Sequence, residues 1–418
     1  MTVYSLIKSD YKLTTDCQRN RLFLYWTKMG IQATWTQSIR DIPEADWDAL
    51  VPRNFPFFRH TFLLGLEETR CISRATGWEP HYLLIHEDSL LIAAVPCYQK
   101  SHSYGEFIFD WSWADSLQRA GLRYYPKLIS SAPFTPANGK RFLILDEYSG
   151  NKEIIASFIL EEIFKLCKQE AFSSYHILHQ TKEEQIHCAK NGMGKRLSYQ
   201  YHWENNDFSS FDSYLASLRS RRRKEIKRER RSITQNGINV LTLRGQDITK
   251  VHLEAMYEFY ASTHDKKWGQ AYLNYDFFCH LHDTMPEHLL LFLAEKSGKY
   301  LGGSFNLVSD DILYGRYWGS AEYIPNLHFE CCYYSLIEYA INNRIKKVEA
   351  GAGGEHKFLR GFLASSVYSS HILFHEQADV AVKKFLDNEW SYVQNAITAM
   401  NNESPVKEAR EESLDLTI

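Results

Sequence analysis

Apolar and polar positions fall into a regular order from Ile31 onward. ATWTQSI alternates with period two and predicts a strand. DIPEADWDALV and FRHTFLLGLEETRCI place apolar residues three and four apart and predict two helices, the first opened by Asp41 and Pro43. HYLLIHEDSLLIAAVPCYQKS reads as two apolar strands around a His-Glu-Asp-Ser turn. HSYGEFIFDWSWADSLQRAG continues as a strand end and a helix. YYPKLISSAPFTPANGKRFLIL is extended and punctuated by proline. The amphipathic NKEIIASFILEEIFKLCKQE predicts a helix between this segment and the strands SYHILHQ and SYQYHWEN. Alternation of helix and strand predicts layered α/β structure.

The second half opens with DFSSFDSYLASL, capped by Asp207 or Ser209 and running into RSRRRKEIKRERRSITQNG, where Gly237 reads as the stop. A strand (INVLTLRG), two helices, three antiparallel strands (288–320), a helix (ECCYYSLIEYAINNR) and a strand (KKVEAGAG) follow. Both halves repeat one order: strand, two helices, strand hairpin, helix, strand. This predicts a duplicated domain, with a first lobe over 31–205 and a second over 206–374. Residues 1–30 match neither lobe and read as an extension. A C-terminal helix is expected over 375–400 and a polar, disordered tail over 401–418.

Composition modifies this picture at a few points. A net charge of −3 gives no global attraction to nucleic acid or membrane, so such a partner must rest on a local patch. The eight cysteines show no CxxC spacing and read as reduced, buried thiols of a cytoplasmic protein. The N-terminus lacks the pattern of a signal peptide, and no apolar run is long enough to predict a membrane span. GxGxxG after a strand, GxxxxGKS, GxSxG and HExxH do not occur, and no His/Cys set has closed-site spacing. No metal and no tightly bound cofactor are therefore expected.

Three stretches carry candidate chemistry. Residues 219–231 hold nine Lys/Arg against two Glu. Arg221, Arg222, Arg223 and Lys224 would meet a phosphate-rich ligand such as tRNA or coenzyme A, or else form a solvated face with i,i+4 pairs. In HSYGEFIFDW, period two places Glu106, Ile108 and Asp110 on one face. The carboxylates would line a cleft, or cap the following helix. Residues 314–363 then concentrate Arg316, His328, Glu330, Glu349, Glu355, His356, Lys357 and Arg360. His328 and Glu330 share a strand or loop face, and Glu330 stands near a helix N-terminus, where the dipole favours it. Glycines before His356 allow close backbone approach to a ligand. Lys357 and Arg360, three apart, would share a helical face and hold an anion. His356 or Glu355 can take a proton from an amine.

These stretches belong to a wider set: GWEPHYLLI, KSHSYGEFIFDWSWAD, YYPKL, PFTPANGKRFL, YHW, RRRKEIKRER, YGRYWG, LHFECCYY and GEHKFLRGF. Together they resemble the signature blocks of the FemAB-like family of N-acyltransferases in the GNAT superfamily. The blocks span about residues 44 to 376. Gly353 departs from a usual glutamine, and Ala364-Ser365 from a common proline. The resemblance implies two tandem GNAT-like lobes, with mixed sheets flanked by helices. It implies transfer of an acyl or aminoacyl group from acyl-CoA or aminoacyl-tRNA to a small-molecule or peptide amine. On that reading Glu330 or Glu355 accepts the proton, assisted by His356 and His328. Arg316, Lys357 and Arg360 hold the anionic donor or the oxyanion. Glu106, with His102, Trp111 and Lys127, holds the acceptor across the inter-lobe cleft. The competing reading is a non-catalytic protein that binds peptide, glycan or tRNA on the same scaffold.

Overall fold

The computed structural model describes residues 30–267 and 271–407. The extension expected over 1–30, apart from Gly30, and the tail beyond Lys407 lie outside the described residues. The strands are β1 (Ile31–Thr36), β2 (Trp78–Glu87), β3 (Leu90–Lys100), β4 (Lys127–Ser130), β5 (Leu143–Ile144), β6 (Ser174–Gln180), β7 (Gly194–Glu204), β8 (Asn239–Arg244), β9 (Leu289–Lys296), β10 (Lys299–Val308), β11 (Ile312–Ser320), β12 (Lys347–Glu349) and β13 (Leu363–Leu373). All thirteen join one mixed sheet in the order β1-β2-β3-β4-β6-β13-β7-β12-β11-β10-β9-β8, with β5 paired to β3. The class is α/β, as the alternation predicts.

The repeat is visible in the pairing. β1 to β4 are antiparallel, and β4 then runs parallel to β6 from Leu128↔Tyr175 to Ser130↔Ile177. β8 to β11 are likewise antiparallel, and β11 runs parallel to β12 from Ile312↔Lys347 to Tyr314↔Glu349. Each parallel step needs a crossover helix. Helix α4 (Lys152–Gln169) supplies it in the first half. In the second it is α10 (Leu327–Phe329 and Ser335–Asn342, joined by the π-helical turn Glu330–Tyr334).

The halves do not close separately. β7 belongs to the first half in sequence but pairs with β12 of the second. β13 belongs to the second half but pairs with β6 of the first. The two exchanged strands pair with each other from Leu363↔His202 to His371↔Gly194. Helix α11 (Glu376–Asn402) packs on both of them. The chain then returns to Pro405, whose carbonyl accepts from Arg219 N at 2.9 Å.

One apolar core spans both halves on one face of the sheet. It joins α1 (Glu44–Leu50) and α2 (His60–Glu68) of the first half to α8 (Lys250–Lys267) and α9 (Tyr275–Thr284) of the second. Phe57 meets Tyr314 edge-on at 4.9 Å, and Phe62 meets Phe277 at 5.4 Å. α8 lies close on β11 at Gly319, where a Cβ would come 1.9 Å from Phe259 O, so only glycine fits.

Three local expectations change. The run HSYGEFIFDW is coil, with Phe107 at φ +59°, and α3 (Trp111–Arg119) follows it. Asp110 takes the N-cap position of α3, but its side chain makes no cap bond because it turns to Lys127. LHFE is the first turn of α10 and not strand or loop. The expected long basic helix is two helices, α6 (Phe211–Ser217) and α7 (Ser220–Gln235). Ser210 caps α6 through a box with Ser213. Between α4 and β7 the helix α5 (Lys182–Lys190) starts at Thr181, which forms a capping box with Glu184.

Strand exchange makes a prediction about fragments. Residues 30–205 expressed alone lack β13, one of the two strands that β6 pairs with, and should be aggregated or poorly dispersed in amide NMR spectra. Co-expression with 206–407 should restore a soluble complex. A stable, well-dispersed 30–205 fragment would count against the exchanged pairing.

Candidate active site

The glycine-rich turn after β12 positions the densest polar group. Gly351, Gly353 and Gly354 all have positive φ (75°, 69° and 92°), which lets the chain double back into the 3-10 turn Glu355–Arg360. Lys357 and Arg360, three residues apart, both point inward, as their spacing predicts. Their partners differ. Arg360 Nη2 donates to Glu229 Oε1 and Oε2 at 3.0 and 2.9 Å, and Nε donates to the Tyr334 hydroxyl at 2.7 Å. Tyr334 in turn donates to Glu229, and the guanidinium lies 3.5 Å over the Phe329 ring. Arg360 is thus occupied by a buried carboxylate. It is not open to an anionic donor, the role expected for it, because a buried guanidinium without Glu229 would be strongly destabilising.

Lys357 has no such counter-ion. It is 3% exposed, its Nζ donates to Gly351 O at 2.7 Å, and it forms no ion pair among the described residues. Burial pulls its ammonium down to about 8. Around it stand His356, whose Nε2 is 2.9 Å from the Tyr333 hydroxyl, and His328, whose ring is 5.5 Å from that of His356. Glu355 is exposed at the mouth of the turn. His202 and Glu349 face each other across β7 and β12, both buried. Burial pulls His202 down to about 4. Burial also pushes Glu349 up, but His202 and Lys347, whose Nζ lies 2.7 Å from Oε1, hold it below the ordinary range.

Glu330 is turned elsewhere. Arg230 grips it through Nε and Nη2 at 3.1 and 2.9 Å, and also binds Glu338 at 2.7 Å. This ion pair borders a crevice of about 810 Å³ between α7, α10 and β8. Glu330 is thus held by Arg230 and lines this crevice. Arg316 donates to Phe134 O and to Thr135 Oγ1 (3.4 Å) and lies over the Phe57 and Tyr317 rings. It ties the second half to the first.

Helix α7 divides its charges by periodicity. Ile226, Glu229 and Ile233 are buried and Arg230 is half-buried, while Arg221, Lys224, Lys227, Arg228 and Arg231 are exposed. Arg222 pairs with Glu225 at i,i+3, not the expected i,i+4, and Lys227 pairs with Asp212 of α6, so part of the run is solvated pairs. Arg221 and Lys224 form no ion pair among the described residues.

A second polar centre lies in the first half. Lys127 Nζ donates to Ser103 Oγ and Glu106 Oε2, both at 2.8 Å, and to Asp110 Oδ2. Tyr124 also donates to Asp110, and its hydroxyl lies 3.3 Å from His176 Nε2. His176 and His371 meet Nδ1 to Nδ1 at 2.8 Å, so one is donor and the other acceptor. His102 is anchored to Thr76 O at 3.0 Å, and Trp111 is exposed beside Tyr104. The parity reading paired Glu106 with Asp110 correctly, although coil and not strand brings them together. The Tyr124–His176 end of the centre stands level with His371, and at its other end Glu106 O lies 3.3 Å from His179 Nε2.

Sequence reasoning did not single out Glu229, Tyr334, Tyr124, His176, His202 or His371. A signal existed for Glu229: it shares the 226, 229, 230, 233 stripe with two isoleucines, which marks it as the buried acid of a basic helix. Among the described residues no cluster could hold a metal ion.

Comparison with known proteins matches the fold. Crystallised FemX shares 12% identity and superposes with a TM-score of 0.50, covering 84% of this chain and all of FemX. L-PGS from Bacillus licheniformis shares 8% over 77% of this chain and 95% of its own, at a TM-score of 0.46. A tandem GNAT protein from the clavulanic acid biosynthesis pathway shares 10% over 81% and 98%, at 0.42. No curated protein matches the chain. The family model described as FemAB-like, peptidoglycan biosynthesis/recognition, matches residues 38–408. With nearly its whole described length matched by this model, the chain belongs to the FemAB-like family.

Proposed function

We propose that the chain moves an acyl or aminoacyl group from an activated donor to an amine, and that Lys357 stabilises the oxyanion of that reaction. The carrying observation is a lysine 3% exposed, without a counter-ion, held in a glycine-rich turn. A buried ammonium with no carboxylate destabilises the fold and persists where its charge is used. As an amine attacks an ester or thioester carbonyl, the carbonyl oxygen gains charge, and an unpaired ammonium in a dry site meets it with little reorganisation. The attacking nitrogen loses a proton. His356 is the acceptor within the turn, with the Tyr333 hydroxyl orienting its ring and Glu355 at the mouth passing the proton to water. Membership of the FemAB-like family and the paired GNAT-like halves support this chemistry.

For the donor we infer an aminoacyl-tRNA. From Arg221 to Arg231 the exposed cations of α7 run for about 15 Å at 1.5 Å per residue, which suits a phosphate backbone better than a single pyrophosphate. A tRNA donor places the reaction in the cytoplasm. Among the described residues no helix is long and apolar enough to cross a membrane. A binding protein without turnover would hold the donor and transfer nothing.

Lys357→Met separates chemistry from stability. With labelled aminoacyl-tRNA and acyl-CoA offered separately to a mixture of small amines, transfer should occur from aminoacyl-tRNA and fall about 10²–10³-fold in the variant. Tight donor binding with no transfer in the native chain would exclude the enzymatic reading. The same variant should be more stable near neutral pH, by up to about 3 kcal/mol from the lysine's lowered proton affinity. The sign follows from proton counting. Between about pH 8 and 10.5 the unfolded lysine keeps a proton that the folded one has released, so native stability rises with pH across that window. Urea titrations of the variant should lack this rise.

The cationic stripe has its own measurement. Neutralising Arg221, Lys224 and Arg228 together to Gln should reduce the slope of log affinity against log salt for the tRNA donor by about two to three. An unchanged slope would assign the stripe to solvation alone.

A further inference from the structure

The crevice between α7, α10 and β8 takes no part in the acyl-transfer reading: Lys357, His356 and Tyr333 do not line it. It opens where the sheet ends, at β8. Period two turns Ile238, Val240 and Thr242 to one face of that last strand, and all three line the crevice. Ile238 is buried there with Leu215, Ile233 and Phe292, whereas Val240 is half-buried and Thr242 exposed. At about 810 Å³ the space is of the size that holds a small organic ligand. Two half-buried rings belong to its lining. Phe211 of α6 lies under the Arg230 guanidinium at 4.5 Å, and Tyr339 belongs to α10.

The charges of the lining narrow the ligand. Lys227, Arg230 and Arg231 stand against Asp212, Glu330 and Glu338, so the lining as a whole is neutral. Lys227 Nζ donates to Asp212 at 2.9 Å, and Arg230 holds both glutamates. Arg231 forms no ion pair among the described residues. The Arg230–Glu338 pair is itself incomplete. Arg230 Nη2 donates to Glu338 Oε2 at 2.7 Å, but Nη1 of that guanidinium and Oε1 of that carboxylate make no hydrogen bond among the described residues. A donor and an acceptor are therefore offered side by side on a neutralised pair, next to one unpaired cation. A carboxylate-headed amphiphile would be repelled by Glu338, and an ammonium by Arg230. A flat neutral ring with an acceptor beside a donor, carrying one phosphate, satisfies the pair and the cation together. A nucleotide has that chemistry, and its base also has a face for aromatic side chains.

We propose that this crevice binds one unstacked nucleotide, with its base packed on Phe211 and Tyr339, its edge on Arg230 Nη1 and Glu338 Oε1, and its phosphate on Arg231. The nucleotide is free or belongs to an RNA laid along α7, because Arg231 also ends the exposed cationic run of that helix. The site stands whether or not the chain transfers an acyl group.

Calorimetry on the full chain tests this with AMP, adenosine and ribose 5-phosphate. AMP should bind about tenfold or more tightly than ribose 5-phosphate, which lacks the base, and several-fold more tightly than adenosine, which lacks the phosphate. Val240→Trp, which fills the crevice, should weaken AMP by about tenfold or more. Arg231→Gln should bring AMP to the affinity of adenosine and leave adenosine unchanged. Where a single-stranded oligoadenylate binds more tightly than AMP and is weakened by Val240→Trp, the site belongs to RNA; otherwise it belongs to the free nucleotide. Equal affinity for AMP and ribose 5-phosphate would overturn the site. So would AMP binding unchanged in Arg231→Gln, a substitution at an exposed position that keeps the test open even if Val240→Trp fails to fold. Loss of AMP binding in Lys357→Met would move the nucleotide to the glycine turn and also overturn it.

Discussion

The two buried polar centres of this molecule are arranged around the antiparallel pairing of β7 with β13. Each strand comes from one half of the chain and completes the sheet of the other. The pairing brings His202 next to Leu363 at one end and Gly194 next to His371 at the other. Glu349 and the glycine turn gather at the first end, and His176, Tyr124 and Asp110 at the second. Without the exchange, His371 would not meet His176, and the glycine turn would have no buried wall. The site geometry is a property of the joined sheet and of neither half alone.

Two cations three residues apart show how partner choice sorts structure from chemistry. Arg360 has a bidentate carboxylate, a phenol and an aromatic face, which satisfy its donors and fix the turn. Lys357 has one carbonyl. The first arrangement stabilises a folded turn, and the second leaves charge available to whatever enters. Arg230 makes the same contrast on α7: it is bound to Glu330 and Glu338, whereas the exposed arginines of that helix are open to solvent.

The α/β class and the repeated order of elements were legible because amphipathic periodicity is local. The inward pair Lys357 and Arg360 was legible from spacing, but their different roles were not. Those depend on Glu229, 131 positions earlier in the chain. The opposite error occurred at Glu106 and Asp110. Alternation grouped them on one strand face, whereas coil residues around Phe107 deliver both to Lys127. Partners separated by half the chain, such as His176 with His371, leave no trace in local pattern. The exchanged strands escaped for the same reason: period two identifies a strand but not its neighbour.

The exchange also fixes an order of events during synthesis. β6 ends at Gln180, but its partner β13 begins at Leu363. Nearly two hundred residues must be made before that pair can form, so contact order is high and loop closure precedes its reward. Until then a nascent chain presents the unpaired hydrogen-bonding edge of a strand that is buried in the finished fold, the kind of edge on which chains associate wrongly. A folding helper acting late in translation would therefore raise the yield of this protein more than any gain in the intrinsic stability of its first half.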